Sequence, residues 1–167
     1  MKKLYLIRHS KSSWDDISLD DFDRPLNSRG KKDRYTMAKF LKENSIHPDI
    51  VLCSPSLRTK KSLKAYQEIL DFDDSRVVFD KSLYESSKQE LLNAIKNLDN
   101  RYNSMFLIAH NPSMNLLVDY LLNGFYENIP TSGIVAIEAN ITNWSMLNNT
   151  NCSMSFFTYP KKIAYLG

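Results

Sequence analysis

Two of the three histidines in this chain stand where they could act on a phosphoryl group. His9 follows Arg8 at the end of one apolar run, and His110 follows the end of another. Arg58 lies just beyond a third apolar run. A guanidinium group binds two phosphoryl oxygens at once and stays charged at any working pH, while a neutral imidazole can attack phosphorus. These residue types predict an anion site for phosphoryl transfer, provided that the fold brings them together.

The spacing of apolar residues predicts alternating strands and helices. Continuous apolar runs, typical of strands buried on both faces, cover residues 4–7, 49–53 and 105–109. Helical spacing predicts helices over 28–44, 56–70, 87–98 and 111–122. Further strands are predicted at 77–79, 133–139 and 153–159, with an Asn-rich hairpin loop before the last. We therefore predict a single domain over residues 1–167 with an α/β fold, a three-layer α/β/α sandwich around a mostly parallel central sheet.

Two of these helices begin with recognisable signals. Ser87 and Glu90 have the spacing of a capping box, in which each side chain accepts the backbone N–H of the other residue. Asn111 can cap the helix that follows His110, and Pro112 suits the first turn of that helix. His110 is therefore expected between the end of a strand and the start of a helix.

If helical crossovers make the long strands parallel, their carboxyl ends share one edge of the sheet, where ligands of open α/β sheets bind. Taken singly, a histidine at a strand end and an arginine on a helix are both explained by an ordinary structural role. His47, for example, is interpreted as structural. The shared edge favours a functional interpretation, because it brings two arginines and two histidines together. One imidazole would attack phosphorus, and the second, protonated, would stabilise the charge on the equatorial oxygens.

The composition narrows the functional class. A net charge of +3 and the lack of a continuous Lys/Arg block argue against nucleic acid as a partner. No apolar stretch approaches the ~20 residues of a membrane span, so we predict no membrane partner. The two cysteines form neither a disulfide framework nor a zinc set, which fits a reducing cytosol and predicts a cytoplasmic protein.

Three short motifs carry a resemblance to a known family. Leu6-Ile-Arg-His9, Ser54-Pro-Ser-Leu-Arg58 and Ala109-His-Asn-Pro112 resemble, in this order, the core motifs of the histidine phosphatase superfamily, the phosphoglycerate mutase-like group. Arg24-Pro-Leu-Asn-Ser-Arg-Gly30 and Pro130-Thr-Ser-Gly133 also fit that family. The resemblance covers residues 3–140, and the short chain is most similar to the SixA-type phosphohistidine phosphatases.

The resemblance implies a role for each residue of the site. His9 would be the nucleophile and form a phosphohistidine intermediate, which water then hydrolyses. Arg8 and Arg58 would bind the phosphoryl oxygens, and His110 would complete the pocket. No cofactor or metal is implied; two arginines would repel a divalent cation, and the familiar metal-binding spacings do not occur. The implied substrate is phosphohistidine on a protein, with small phosphate esters as the alternative.

Three neighbours of the motifs are further candidates for contact with the substrate. Ser10 replaces the glycine of the family's Arg-His-Gly hallmark, and its hydroxyl either donates to phosphate or merely fits the turn. Lys11 could meet the far end of the substrate, although a solvated lysine is the ordinary interpretation. Asn111, beside His110, is a third candidate.

The sequence offers several candidates for the residue that protonates the leaving group. In larger relatives of the family a glutamate protonates the leaving oxygen, and Glu85 follows the predicted strand at 77–79 at about the corresponding place. A solvated glutamate ahead of a helix is the alternative. The other candidates lie in an acidic loop over 15–24, at Asp15, Asp16, Asp20, Asp21 and Asp23. Such a loop is usually only solvated, and a phosphohistidine has a leaving group good enough to react without a dedicated acid.

Three other functions fit parts of the same pattern. Cys53 and Arg58 resemble the Cys-x5-Arg loop of protein tyrosine phosphatases, but the spacing is one residue short and the loop has no glycine. A recognition module could hold a phosphorylated partner through Arg8, Arg58 and His110 without turnover, although such a module would not need His9. A mutase acting on sugar phosphates would need extra elements to enclose its substrate.

Overall fold

The structure, a computed structural model, describes residues 1–166 of the chain. The strands within that range are β1 (Lys2–Arg8), β2 (Ile50–Cys53), β3 (Val77–Phe79), β4 (Ser104–Ala109), β5 (Ile134–Ala139) and β6 (Cys152–Thr158). The α-helices are α1 (Ser28–Glu43), α2 (Leu57–Leu70), α3 (Lys88–Lys96), α4 (Ser113–Leu121) and α5 (Pro160–Leu166). Short 3₁₀ helices lie at Asp21–Asp23, Asp74–Arg76, Lys81–Leu83 and Trp144–Met146. The predicted domain end at residue 167 lies outside the described residues.

The strands form one sheet in the order β3-β2-β4-β1-β5-β6. β1, β2, β3 and β4 run parallel, whereas β5 pairs antiparallel with β1, and β6 pairs antiparallel with β5. The predicted α/β fold with a mostly parallel sheet is therefore confirmed. The register of the parallel pair β1 and β4 sets Arg8 beside Ala109, so the residues that follow these two strands emerge side by side.

Two apolar clusters, one on each face of the sheet, produce the three layers. Along β1, Leu4 and Leu6 pack with α3 and α4 on one face, while Tyr5 and Ile7 pack with α1 and α2 on the other. Burial on both faces explains why the strand is a continuous apolar run without alternation. Each fully buried side chain of this kind contributes on the order of 1.5–3 kcal/mol relative to exposure, which holds the end of β1 in place.

The start of α4 differs from the prediction by one residue. The helix begins at Ser113, so Pro112 precedes it instead of lying in its first turn, and the helix ends at Leu121. Asn111 still serves this helix start, because its side-chain oxygen accepts the Asn115 N–H at 3.1 Å. Helix ends commonly shift by a residue or two in this way, since the first turn lacks internal partners for its N–H groups.

Two other local predictions are confirmed. Ser87 caps α3 and forms the expected capping box with Glu90. The Asn-rich stretch connects the antiparallel strands β5 and β6, as a hairpin loop should. That loop also contributes to the core, because Trp144 within it is fully buried and its Nε1 donates to the Tyr102 carbonyl at 3.0 Å.

The first turn of α1 packs directly against the chain that follows His9. The Lys11 carbonyl accepts the Asn27 N–H at 3.0 Å, and the Asn27 side chain accepts the Gly30 N–H at 2.8 Å. A Cβ atom at Gly30 would lie 2.2 Å from the Lys11 carbonyl oxygen, far inside contact distance. Glycine alone lets the helix approach this closely, so Gly30 determines how the segment after β1 is held.

Replacing Gly30 with alanine is expected to destabilise the fold, because the new methyl group would meet backbone atoms. We expect a loss of about 1–3 kcal/mol in the free energy of unfolding, typical of overpacking, measured by urea denaturation. Lys31→Ala is the matched control, since Lys31 is exposed on the same turn, and it should stay within about 0.5 kcal/mol of wild type. Equal stability of the two variants would contradict this account of the close approach.

Candidate active site

Three of the residues predicted to form the site meet at the carboxyl edge of the sheet. His9 follows β1 and His110 follows β4, and their ring centroids are 5.2 Å apart. Arg58, in the first turn of α2, places Nε 3.4 Å from His9 Nε2 and Nη2 3.4 Å from His110 Nδ1. Each of the three residues is 7% exposed, so the group is nearly enclosed by protein.

Arg8 brings a second guanidinium group to this edge. It is the last residue of β1, and its Nη1 donates to the Ile129 carbonyl at 2.9 Å. Its Nε is buried without a hydrogen-bond partner among the described residues, so this donor can serve an anion. Burial and the charge of Arg58 lower the pKa of Arg8, but a guanidinium group stays charged at neutral pH. Two cations at one buried edge make the pocket attractive to anions.

The ring of His9 is held in one tautomer. Its Nδ1 lies 2.7 Å from the Ser10 carbonyl oxygen, and because a carbonyl oxygen only accepts, Nδ1 carries the proton and Nε2 carries the lone pair. Burial lowers the pKa of His9 to about 3, and the charges of His110, Arg58 and Arg8 add to this effect against the opposing Ser10 hydrogen bond. The ring is therefore neutral at pH 7, with Nε2 facing Arg58, which is the state a nucleophile requires.

His110 is also neutral in the resting site, which corrects the expectation of a protonated second imidazole. Its Nδ1 faces Arg58 Nη2, and because a guanidinium group only donates, Nδ1 must accept. Its Nε2 then donates to Ser54 Oγ at 2.8 Å. Burial, followed by the charge of Arg58, lowers the pKa of His110 to about 4. The sequence revealed neither the depth of burial nor the closeness of the guanidinium group.

Asp21, which the sequence analysis grouped with a solvated acidic loop, contacts the site directly. Its Oδ2 lies 2.9 Å from Arg58 Nη2, and its backbone oxygen accepts from Arg58 Nη1 at 2.6 Å. The Tyr84 hydroxyl donates to the same Oδ2 at 2.7 Å. Although partial burial acts to raise it, the hydrogen bonds from Tyr84 and Arg58 lower the pKa of Asp21 to about 2. The interpretation of Asp21 as merely solvated is therefore wrong.

Arg24 anchors the loop that carries Asp21. This arginine is 6% exposed, and it donates to Ser12 Oγ at 2.6 Å, to the Ser13 carbonyl at 3.1 Å and to Asp21 Oδ1 at 3.2 Å. The Trp14 ring stacks on its guanidinium group at 3.1 Å from the ring centroid. Arg24 was the signal available in the sequence, because an arginine that ends an acidic loop is a natural partner for one of its carboxylates.

Tyr84 is a second residue of the site that sequence reasoning missed. Its ring packs edge-on against His110, with centroids 5.5 Å apart, and against Phe22 at 5.0 Å. Burial and the hydrogen bond to Asp21 raise the pKa of Tyr84 to about 12, so its hydroxyl keeps its proton and remains a donor. Tyr84 thereby joins the Asp21 loop to the histidine pair.

Ser10 and Asn111 both support the shape of the pocket. The Ser10 hydroxyl pairs with Ser132 Oγ at 2.6 Å, and its backbone N–H donates to Ser62 Oγ at 2.8 Å. The side-chain amide of Asn111 donates to the Ile129 carbonyl at 3.1 Å, the oxygen that also binds Arg8. Two roles were predicted for the Ser10 hydroxyl, and its contact with Ser132 agrees with the one in which it fits the turn.

Lys11 and Glu85 lie farther from the centre of the site. Lys11 is half-buried, and its carbonyl holds the start of α1. Glu85 is exposed and has a left-handed backbone, with φ of 51°. It directly follows Tyr84, which contacts both Asp21 and His110. Glu85 is therefore a neighbour, along the chain, of a residue that contacts the site.

The cysteine alternative disagrees with the structure. Cys53 is fully buried at the end of β2, and its Sγ donates to the Ser54 carbonyl at 3.3 Å. Burial raises the pKa of the Cys53 thiol to about 12. A thiol must ionise to act as a nucleophile, so Cys53 is a core residue.

Neither a cluster of metal ligands nor a membrane-spanning helix is present in the part of the chain that the structure describes. Within residues 1–166, no three His, Cys, Asp or Glu side chains come together in a way that would bind a metal ion. No helix in this range has the length and apolar character needed to cross a membrane.

Known proteins match this chain in sequence and in fold. The sequence model of the histidine phosphatase superfamily (branch 1) matches residues 4–90, slightly more than half of the chain. An uncharacterized chloroplastic protein of Arabidopsis thaliana is 29% identical over 151 residues, covering 86% of this chain and 69% of that protein. The SixA structure from Agrobacterium tumefaciens has a TM-score of 0.83 at 22% identity, covering 95% of this chain and 98% of that one. A protein histidine phosphatase SixA complexed with tungstate gives a TM-score of 0.82 at 22% identity, covering 96% and 99%.

Buried neutral histidines make stability depend on pH in a defined direction. The pKa values of His9 and His110 in the folded protein, about 3 and about 4, lie below the ordinary value of 6.5. The unfolded chain therefore binds more protons than the folded one below pH 6.5. The stability that the two neutral histidines contribute at neutral pH is lost as the pH falls toward 4 and then 3. We expect the unfolding free energy of His9→Asn to fall less than that of wild type between about pH 7.5 and about pH 4.5, measured with urea.

The exposed His47 supplies the control for this measurement. His47→Asn should keep the pH dependence of wild type, because this substitution leaves the buried pair of histidines intact. A pH dependence in His9→Asn equal to that of wild type would show that His9 is not held neutral by burial.

Proposed function

The chain belongs to the histidine phosphatase superfamily (branch 1) and has the fold of the SixA proteins, and on that basis we propose a metal-independent phosphatase that works through a phosphohistidine on His9. The observation that carries this proposal is the state of His9. Its Nδ1 is bonded to the Ser10 carbonyl, so the Nε2 lone pair faces the pocket beside Arg58. Two guanidinium groups supply there the positive charge for which a metal ion would otherwise be needed.

In the first step, the lone pair of His9 Nε2 forms a bond to phosphorus while the bond to the leaving group breaks. The leaving group departs with the bonding electrons and takes a proton from an acid at the rim of the pocket. Arg8 and Arg58 bind the equatorial oxygens and stabilise their charge. The phosphorylated ring becomes cationic, and the Ser10 carbonyl stabilises it by accepting the Nδ1–H.

In the second step, water attacks the phosphorus of the phosphohistidine and the bond to Nε2 breaks. The electrons return to the ring, which regains its neutral form, and the proton of the water passes to a base at the rim. His110 lies beside the transferred group and donates to Ser54 at rest. A bound phosphoryl dianion would offset the charges of the arginines and favour protonation of His110, which then stabilises the equatorial oxygens as the sequence analysis expected.

For the substrate we propose phosphohistidine on a protein, with a small phosphate ester as the alternative. A phosphohistidine releases an imidazole, which is a good leaving group once protonated and makes small demands on the acid. The SixA protein whose fold this chain shares is described as a protein histidine phosphatase and was solved with tungstate, a tetrahedral oxyanion of the shape of phosphate. Both cysteines are free thiols, which suits a reducing compartment, and we propose the cytoplasm.

We propose Glu85 as the proton donor. Asp21 is ionised and bonded to Arg58 and Tyr84 at rest, with a pKa of about 2, so it has no proton to give. The assignment of Glu85 is supported by its position directly after Tyr84, which contacts both Asp21 and His110.

His9→Ala is expected to lose at least ~10³-fold in kcat, as other covalent nucleophiles do. The measurement is phosphate release from a phosphohistidine peptide and from an aryl phosphate, both with EDTA present. His47→Ala is the matched control, because it removes an exposed histidine outside the site, and its rate should equal that of wild type. Substantial turnover in His9→Ala would overturn the assignment of the nucleophile, and loss of wild-type activity in EDTA would overturn metal independence. Tight phosphopeptide binding without release would indicate a recognition module.

Glu85→Gln is expected to slow hydrolysis of an alkyl phosphate by a smaller factor than His9→Ala, and to change hydrolysis of a phosphohistidine peptide little. The reason is that an alkoxide needs a proton to leave, whereas an imidazole leaves more readily. The ratio of the two rates in each variant is the measurement. If Glu85→Gln hydrolyses both substrates at wild-type rates, Glu85 is only a solvated residue.

A further inference from the structure

The guanidinium group of Arg58 makes contacts on two of its sides. Its end-on donors, on Nη1 and Nη2, bind the backbone oxygen of Asp21 at 2.6 Å and Oδ2 of Asp21 at 2.9 Å. Its side-on donors, on Nε and Nη2, face His9 Nε2 and His110 Nδ1, each at 3.4 Å. A guanidinium group is planar and rigid, so fixing the end-on donors also fixes the direction of the side-on donors.

We propose that Asp21 is a positioning residue, which holds the side-on donors of Arg58 toward the nucleophile so that they meet the phosphoryl oxygens. The proposal rests on the proposed function only in that Arg58 binds the phosphoryl group. The contacts of Arg58 with the two imidazoles are long for hydrogen bonds and are easily exchanged for phosphoryl oxygens. The contacts with Asp21 are short and charge-assisted, so they persist when the substrate binds.

Asp21 is itself held in place by two further side chains. The Tyr84 hydroxyl donates to its Oδ2 at 2.7 Å, and Arg24 donates to its Oδ1 at 3.2 Å. Arg24 in turn is buried and bonded to the segment that follows β1. The position of Arg58 is therefore set by a connected series of contacts that starts in the fold and ends at the phosphoryl pocket.

The charge of Asp21 also helps to keep Arg58 where it is. Arg8 and Arg58 carry like charges at this edge, and the charge of Arg58 adds to burial in lowering the pKa of Arg8. A carboxylate on the far side of Arg58 offsets part of that repulsion without entering the space between the guanidinium group and the histidines. A side chain without an acceptor oxygen in place of Asp21 would remove the contact with Nη2 and allow Arg58 to turn away from Arg8.

Asp21→Ala is expected to lower kcat on an aryl phosphate by on the order of 10²-fold, since a displacement of about 1 Å in a catalytic group costs about this much. Asp21→Asn should recover most of the rate, because its amide oxygen still accepts from Arg58 Nη2. Asp23→Ala is the matched control, as Asp23 is an exposed acidic residue of the same loop, and it should act like wild type. If Asp21 acted only by its negative charge, both Asp21 variants would bind tungstate more tightly by the same factor and would turn over at least as fast as wild type, which would overturn the proposal.

A double-mutant cycle tests whether Asp21 acts through Arg58. In the Arg58→Ala background the further change Asp21→Ala should leave the residual rate unchanged, whereas in wild type it costs on the order of 10²-fold. Equal losses in both backgrounds would show that Asp21 supports the fold or acts on the substrate directly, and would overturn the positioning role.

A measurement that needs no turnover separates this proposal from the proposed function. The NMR signal of the Arg58 Nε–H, assigned by its loss in Arg58→Ala, should be sharp in wild type and in Asp23→Ala. In Asp21→Ala it should broaden and exchange faster with solvent, because the guanidinium group loses its contact with Oδ2 and keeps only the one with the backbone oxygen of residue 21. An unchanged signal in Asp21→Ala overturns the positioning role, while the expected change in a protein that hydrolyses no phosphate would overturn only the proposed function.

Discussion

Two guanidinium groups lie close together at one largely buried edge of the sheet, and the rest of the site depends on keeping both there. Burial and the charge of Arg58 both lower the pKa of Arg8. Burying charges without partners is costly, and the protein offsets this cost with the Ile129 carbonyl at Arg8 and with Asp21 at Arg58. Burial, assisted by these charges, keeps the two imidazoles neutral, and a neutral ring is the state that the proposed nucleophile, His9, requires. A phosphoryl dianion relieves the repulsion, so the site is built to attract its substrate.

The positions of Arg8, His9 and His110 could be predicted from the sequence because the core determines them. β1 and β4 are buried on both faces, so they read as unbroken apolar runs whose ends are easy to recognise. Because β1 and β4 pair in parallel, the residues that directly follow these two strands lie side by side. Arg58 follows the same logic, because it lies in the first turn of α2, the helix that follows the strand β2.

The parts that could not be predicted depend on contacts between segments distant in the chain. Apart from Arg24, nothing in the loop over 15–24 distinguishes Asp21 from the other four aspartates, since its contact with Tyr84 joins residues 63 positions apart. The neutral state of His110 depends on its burial beside Arg58, which no local pattern expresses. The one-residue error at the start of α4 is of the ordinary kind at helix ends.

The central claim is that His9 carries the phosphoryl group on Nε2, because the Ser10 carbonyl binds Nδ1. Rapid quenching of wild type during turnover of a phosphohistidine peptide, followed by phosphorus NMR and peptide mapping, tests this claim directly. We predict an acid-labile, alkali-stable phosphate on His9, bonded to Nε2. Phosphate bonded to Nδ1 of His9, phosphate on His110, or turnover that proceeds with no trapped phosphohistidine would contradict the account.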